Sequence, residues 1–220
     1  YCEERGIKVQ NCAGYATTAV AELTFGLLLD LCRNIGKCDT AARSSGTKAG
    51  LIGFELEGRT MGIVGTGAIG ARVAKLAAAF GMDVIAYSRT PGKVEGIRYV
   101  SLEELLVQSD VVSLHVPLTD ETRGMIGEKE LALMKKTAVL VNTARGPVVD
   151  TKALADALNS GRIAGAAIDV FDKEPPLDAD EPLIHAKNTV VTPHVAFATD
   201  ESMIKRAEIE FRNIADFIKG

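Results

Sequence analysis

The sequence predicts an α/β fold built on a doubly wound parallel sheet. Three observations carry this. Short β-branched runs alternate with longer segments of helical period along 220 residues. The runs are apolar throughout rather than at every second position, so both faces of each strand are covered. Such alternation demands right-handed crossovers between parallel neighbours.

The elements follow in order. KVQNC (8–12) reads as a first short strand. TTAVAELTFGLLLDLCR (17–33) is a helix whose apolar residues occupy nearly every side of the wheel. That pattern predicts burial all round, inside its own domain or beneath a second subunit. SSGTKAGLIGFELEG (44–58), rich in glycine and serine, is an irregular connection. RTMGIVG (59–65) and DVIAY (83–87) are strands separated by a helix over 69–80. DVVSLHV (110–116), TAVLVN (137–142), AGAAIDV (164–170) and NTVVT (188–192) complete the strands. Helices near 101–108, 128–135 and 151–160 separate them, and a last helix fills 199–218. No internal repeat or low-complexity segment interrupts this plan.

Bulk composition narrows the class. With 47% apolar and 25% charged residues, the chain can bury a sizeable core. The net charge is −4 and the basic residues are scattered, which is no footprint for nucleic acid. The apolar stretches are too short or interrupted for a bilayer. YCEERGIK lacks a secretory apolar region. Cys2, Cys12, Cys32 and Cys38 form no CxxC pair and no zinc spacing with His115, His185 or His194. Free thiols, no metal and a cytoplasmic location are expected.

GTGAIG (65–70) fits GxGxxG, follows a strand and opens a helix, the context that gives the pattern meaning. Gly65 permits the turn, Gly67 lets backbone approach a diphosphate, and Gly70 allows close helix–strand packing. Thr66, Ala68 and Ile69 complete the cradle at a helix N-terminus. The expected architecture is the Rossmann dinucleotide-binding fold. The residue that reads the ribose belongs about 20 positions further on. Neutral Ser88 stands there, followed by Arg89 and Thr90. A carboxylate would repel a 2′-phosphate, whereas a guanidinium can pair with one. NAD(H) or NADP(H) is therefore expected, with a tilt to NADP(H). The competing view makes Arg89 an ordinary surface arginine stacked on adenine.

VNTARGPVVD (141–150), IDVFDKEPP (168–176) and VVTPHVA (190–196) each begin at the carboxyl end of an expected strand. Ligands bind at that edge of open α/β sheets. Arg145, Glu174 and His194 can thus converge although distant in sequence. Taken singly, each has an ordinary structural explanation: a surface arginine, a loop carboxylate and a hydrogen-bonded core histidine.

Taken together, the segments resemble the D-isomer-specific 2-hydroxyacid dehydrogenases. GTGAIGARVAKLAAAFGMDVIAY, HVPLTDETRGMIG, MKKTAVLVNTARGPVVD, GAAIDVFDKEPP and TPHVA match that family's motifs in order. NCAGYATTAVAELTFGLLL (11–29) is most similar to the branch with glycerate dehydrogenases (hydroxypyruvate reductases), glyoxylate reductases and D-lactate-type enzymes. The resemblance implies hydride transfer between NAD(P)H and a small 2-keto or D-2-hydroxy acid. His194 would supply the carbonyl proton, Glu174 would orient its ring, and Arg145 would hold the substrate carboxylate. Asp169 would bond the nicotinamide carboxamide, or simply cap nearby N–H groups. Thr143 and Ala144 would meet the cofactor through their backbone. His115, Val116, Pro117 and Thr122 would form the loop over it, leaving His185 structural or exposed.

In the family, the counterpart of YCEERGIKVQN follows a separate substrate lobe, and a tail beyond DFIKG returns to it. Residues 1–220 are accordingly expected to be one dinucleotide-binding domain without that lobe, part of a homodimer. A non-catalytic NAD(H)-sensing protein of the corepressor type is the rival on the same fold. Formate dehydrogenase fits less well, because an amide there replaces the carboxylate of Glu174.

Overall fold

The computed structural model describes residues 1–92, 94–174 and 176–219. Its strands are β1 (Thr60–Val64), β2 (Asp83–Tyr87), β3 (Arg98–Tyr99), β4 (Val111–Leu114), β5 (Val139–Asn142), β6 (Gly165–Ile168) and β7 (Thr189–Val191). All pair in parallel in the order β3-β2-β1-β4-β5-β6-β7. The helices are α1 (Thr17–Arg33), α2 (Ile35–Arg43), α3 (Ala68–Ala79), α4 (Leu102–Gln108), α5 (Glu128–Leu133), α6 (Thr151–Asn159), α7 (Pro182–His185) and α8 (Asp200–Lys219). The order reverses between β1 and β4, as in the Rossmann dinucleotide-binding architecture.

Every residue of β4, β5 and β6 is buried, which explains their unbroken apolar runs. Their side chains divide between two cores. Val112, Leu114 and Leu140 join Leu105, Leu131 and Leu154 beneath α4, α5 and α6. Val111, Val139 and Val141 join Leu28, Val73 and Ala77 beneath α1 and α3. Successive strand residues point to opposite faces, so one sheet needs helices on both sides.

Two expectations are corrected. Residues 8–12 form no strand, and Val9 is 72% exposed. One isolated β-branched residue among polar neighbours has no apolar face to bury. Helix α1 keeps a wet stripe at Thr18, Glu22, Gly26 and Arg33, so its own domain does not bury it all round, and the reading that a second subunit covers that side stands open. Its other faces meet α3 and β5–β7. Burial thus follows the sheet's geometry, and helical spacing collects the few exposed positions into one line. The short β3 and helix α2 went unforeseen. Strand β3 is too brief for any periodic signal, and α2 buries none of its residues. The segment 44–58 has no helix or strand, as expected.

At the amino edge of the sheet, Asp110 ties β1 to the start of β4. Its carboxylate accepts from Thr60 N–H at 2.9 Å and from Lys135 Nζ at 2.9 Å. Burial alone would raise this carboxyl, but the Lys135 and Thr60 hydrogen bonds, with the Lys135 and Arg59 charges, hold it below its ordinary value. A carboxyl lowered on folding stabilises above the unfolded-state value and loses that contribution as pH falls through the folded one. Asp110→Asn should cost about 1–2 kcal/mol in urea unfolding near neutrality. The gap to wild type should close progressively below about pH 4.

Candidate functional site

The glycine-rich turn leaves β1 and enters α3. Gly65 has φ +97°, and a Cβ there would meet His115 O at 2.6 Å. A Cβ on Gly70 would lie 1.9 Å from Gly65 O. These two glycines are required by packing. Gly67 differs, because a Cβ there meets nothing within 4 Å. The freed space adjoins the N-terminus of α3, which no side chain caps. A ligand bearing a diphosphate fits such a place, where backbone N–H groups lack partners.

Two cavities line the carboxyl edge and share His115, Val116 and Pro117. One, of about 290 Å³, is lined by Gly65, Thr66 and Gly67, by Ser88, Arg89 and Thr90, and by Thr122. The second, of about 360 Å³, is bounded by Ile69, Thr143, Ala144, Arg145 and His194. Sharing that wall, the two cavities could take the two parts of one ligand. A separate groove of about 800 Å³ runs past Lys75, Asp83 and Arg98 and includes none of the expected site residues. Ala68, Gly70, Asp169 and Glu174 line neither carboxyl-edge cavity.

His194 lies in the loop after β7 with φ +55°, a left-handed conformation unusual for a non-glycine residue. The buried Asp169, at the end of β6, accounts for it. Its Oδ1 accepts from Thr192 Oγ1 at 2.6 Å and Val195 N–H at 2.9 Å. Its Oδ2 accepts from Ala196 N–H at 2.9 Å, and its own carbonyl accepts from His194 N–H at 2.8 Å. The capping geometry raised for Asp169 is therefore present. His194 Nδ1 is hydrogen-bonded to Glu174 Oε2, and the ring stands edge-on to Phe197 with centroids 5.6 Å apart. Pro175, inside the segment that predicted Glu174, falls outside the described residues.

Arg145 is placed by the turn after β5. Asn142 donates from Nδ2 to Arg145 O at 3.0 Å and accepts Ala144 N–H at 3.0 Å. A Cβ on Gly146 would sit 1.9 Å from Phe171 O, so this turn rests directly on the backbone after β6. The Arg145 guanidinium donates from Nη1 to Ala144 O at 2.6 Å. It bonds neither Glu174 nor His194 among the described residues, although it lines the same cavity as His194. Thr143 Oγ1 meets the buried Thr24 Oγ1 at 2.9 Å, anchoring the turn to α1.

His115 bonds Ser113 Oγ through Nε2 at 2.8 Å, while buried Nδ1 has no partner among the described residues. Burial pushes this imidazole down to about 3, so the ring between the two cavities is neutral near pH 7. Some lining residues escaped the sequence reading. Cys12, Gly14, Tyr15 and Phe197 border the cavity of His194, and Tyr87 and Glu121 border the other. Only the small residues of NCAG, directly before an apolar helix, offered a signal. Among the described residues no His, Cys, Asp and Glu group is placed to hold a metal ion, and no helix is long and apolar enough to cross a membrane.

Gly146→Ala should destabilise the chain by about 2–3 kcal/mol, because backbone must shift to admit one methyl. Urea unfolding of the two proteins would measure it, and an unchanged midpoint would remove the packing argument for this turn.

Known proteins agree with this geometry. Residues 25–196 match the family described as D-isomer specific 2-hydroxyacid dehydrogenase, NAD binding domain. The glyoxylate reductase of Thermococcus litoralis is 48% identical over 229 residues, covering 99% of this chain and 69% of the relative. D-lactate dehydrogenase from Aquifex aeolicus, solved with NAD and lactic acid, superposes with TM-score 0.92 at 36% identity, over 100% of this chain and 72% of that one. An acyclic imino acid reductase (Bsp5), solved with NADPH and D-Arg, gives TM-score 0.92 at 36% identity, over 99% and 70%. The ordered motifs, the sheet order and these likenesses coincide, and the chain belongs to the D-isomer-specific 2-hydroxyacid dehydrogenase family, in the neighbourhood of its glyoxylate, hydroxypyruvate and D-lactate-type members.

Proposed function

We propose that residues 1–220 are the cofactor-binding domain of an oxidoreductase that reduces a small 2-keto acid to the D-2-hydroxy acid with NAD(P)H. The observation that carries this reading is the His194–Glu174 pair beside a cavity that Arg145 also lines. That cavity continues past His115 towards the glycine turn. The relatives' names make glyoxylate and hydroxypyruvate the first substrates to test.

A reduced nicotinamide, when bound, supplies the hydride to C2. The protein's part is then positional and protic. With Nδ1 held by Glu174, Nε2 is the His194 nitrogen left to give a proton to the carbonyl oxygen. In the reverse direction the same nitrogen takes the hydroxyl proton. Arg145 uses Nη1 on Ala144 O, and its remaining N–H groups can grip the substrate carboxylate in two prongs. That grip would orient the substrate carbonyl for hydride and proton transfer, which contributes to the rate. Gly65, Thr66 and Gly67 would hold the diphosphate, with Ala68, Ile69 and Gly70 forming the helix start behind it. Ser88, Arg89 and Thr90 would meet the adenine-side ribose and admit NADP(H) as well as NAD(H). Asp169 would bond the carboxamide as well as holding its loop. The substrate lobe would close the cleft against water from outside residues 1–220. The reading includes a homodimer in a reducing cytoplasm.

His194→Ala in the complete protein should lower kcat by roughly 10²–10⁴ while NADH binding survives. Steady-state ketoacid reduction and cofactor fluorescence would measure the two separately. Near-normal turnover would remove His194 from the chemistry. Tight NADH binding with no turnover on hydroxypyruvate, glyoxylate, pyruvate, or branched or aromatic ketoacids would favour a cofactor sensor instead.

A further inference from the structure

Arg89 is not alone in the cavity at the end of β2. Glu121 stands in the same wall, and its Oε2 lies 3.4 Å from Arg89 Nη1. These are the only formally charged side chains among the described residues that line this cavity, since His115 is neutral there. Glu121 is held in place by its turn. Thr122 Oγ1 donates to Pro117 O at 2.6 Å and accepts Thr119 N–H at 2.8 Å, and Arg123 N–H bonds Thr119 O at 2.9 Å. The tight 117–123 turn fixes the backbone from which Glu121 reaches Arg89.

Resting on the cofactor reading above, we infer that Glu121 is a specificity-determining residue that weighs against a ribose 2′-phosphate. Two physical effects act in one direction. The carboxylate neutralises the cation that would draw the phosphate in, and its own charge repels a dianion at short range. A 2′-hydroxyl suffers neither effect and can donate to the same carboxylate. Both side chains are mostly exposed, 82% for Arg89 and 75% for Glu121, so water and salt weaken the pair. The discrimination is consequently graded: NADPH is penalised without being excluded. Arg89 and Glu121 pull in opposite senses, and the tilt that Ser88–Arg89 implies is held back by a residue 32 positions away.

The test uses Glu121→Gln, which removes the charge and keeps the shape at an exposed position. Dissociation constants for NADPH and NADH would be measured by cofactor fluorescence on the complete protein. The NADPH constant should fall roughly threefold to tenfold, with NADH changed less than about twofold. The NADPH gain should shrink as salt is raised. An unchanged NADPH-to-NADH ratio, or an equal shift for both, would overturn the inference. Failure of the wild-type protein to bind either cofactor would instead overturn the reading of the cavity itself. Arg89→Ala must weaken NADPH selectively; if NADPH binding is indifferent to it, the charge balance does not govern this site.

Discussion

A buried carboxylate, Asp169, organises the half of the site that bears the histidine. It lies at the carboxyl end of β6, 0% exposed, without an ion-pair partner among the described residues. Burying such a group is unfavourable unless donors surround it. Here the hydroxyl of Thr192 and the N–H groups of Val195 and Ala196 converge on it. Those donors all belong to the loop that carries His194. The bonds bend that loop through a left-handed residue, at a local cost of about 1–3 kcal/mol, and so aim an imidazole at the cavity. Removing the carboxylate would leave the buried Ala196 N–H and two partly buried donors without it, so loop and carboxylate specify each other.

The parallel sheet supplies the rest. Strands β1, β2, β4, β5, β6 and β7 all end on one edge, and each delivers something there. From β1 comes the glycine turn, from β2 Ser88, Arg89 and Thr90, and from β4 the His115–Pro117 wall. From β5 comes Arg145, from β6 Asp169, and from β7 His194. The turns also brace one another. Gly146 lies against the backbone of Phe171, and Gly65 against that of His115. A methyl group at either position would push two loops apart. Glycine at these places is a tertiary requirement rather than a feature of a flexible chain.

Charge is arranged differently in the two cavities. Arg145 faces the cavity of His194 with most of its N–H groups uncommitted, which suits an anionic acid. Arg89 faces the other cavity already accompanied by Glu121. Between them sits a neutral His115, its uncharged state enforced by burial. One cavity thus has a guanidinium with free N–H groups, and the other a balanced pair.

Much of this was legible in the sequence. Unbroken apolar runs could belong only to strands covered on both faces, and the glycine hexamer between a run and a helix fixed where the first turn lay. That Arg145, Glu174 and His194 lie along one edge was readable because each follows a strand of one parallel sheet, whose carboxyl ends must share an edge. What the sequence could not determine was pairing between side chains far apart in the chain. That Arg89 faces Glu121, that Thr24 meets Thr143, and that Asp169 gathers the loop of His194 are distances, set by how loops fold back over the sheet. Residues 8–12 and helix α1 teach the same lesson, because burial depends on what packs alongside and not on local composition. Periodicity encodes the direction in which a side chain points along its own element; only the assembled structure decides what stands opposite it.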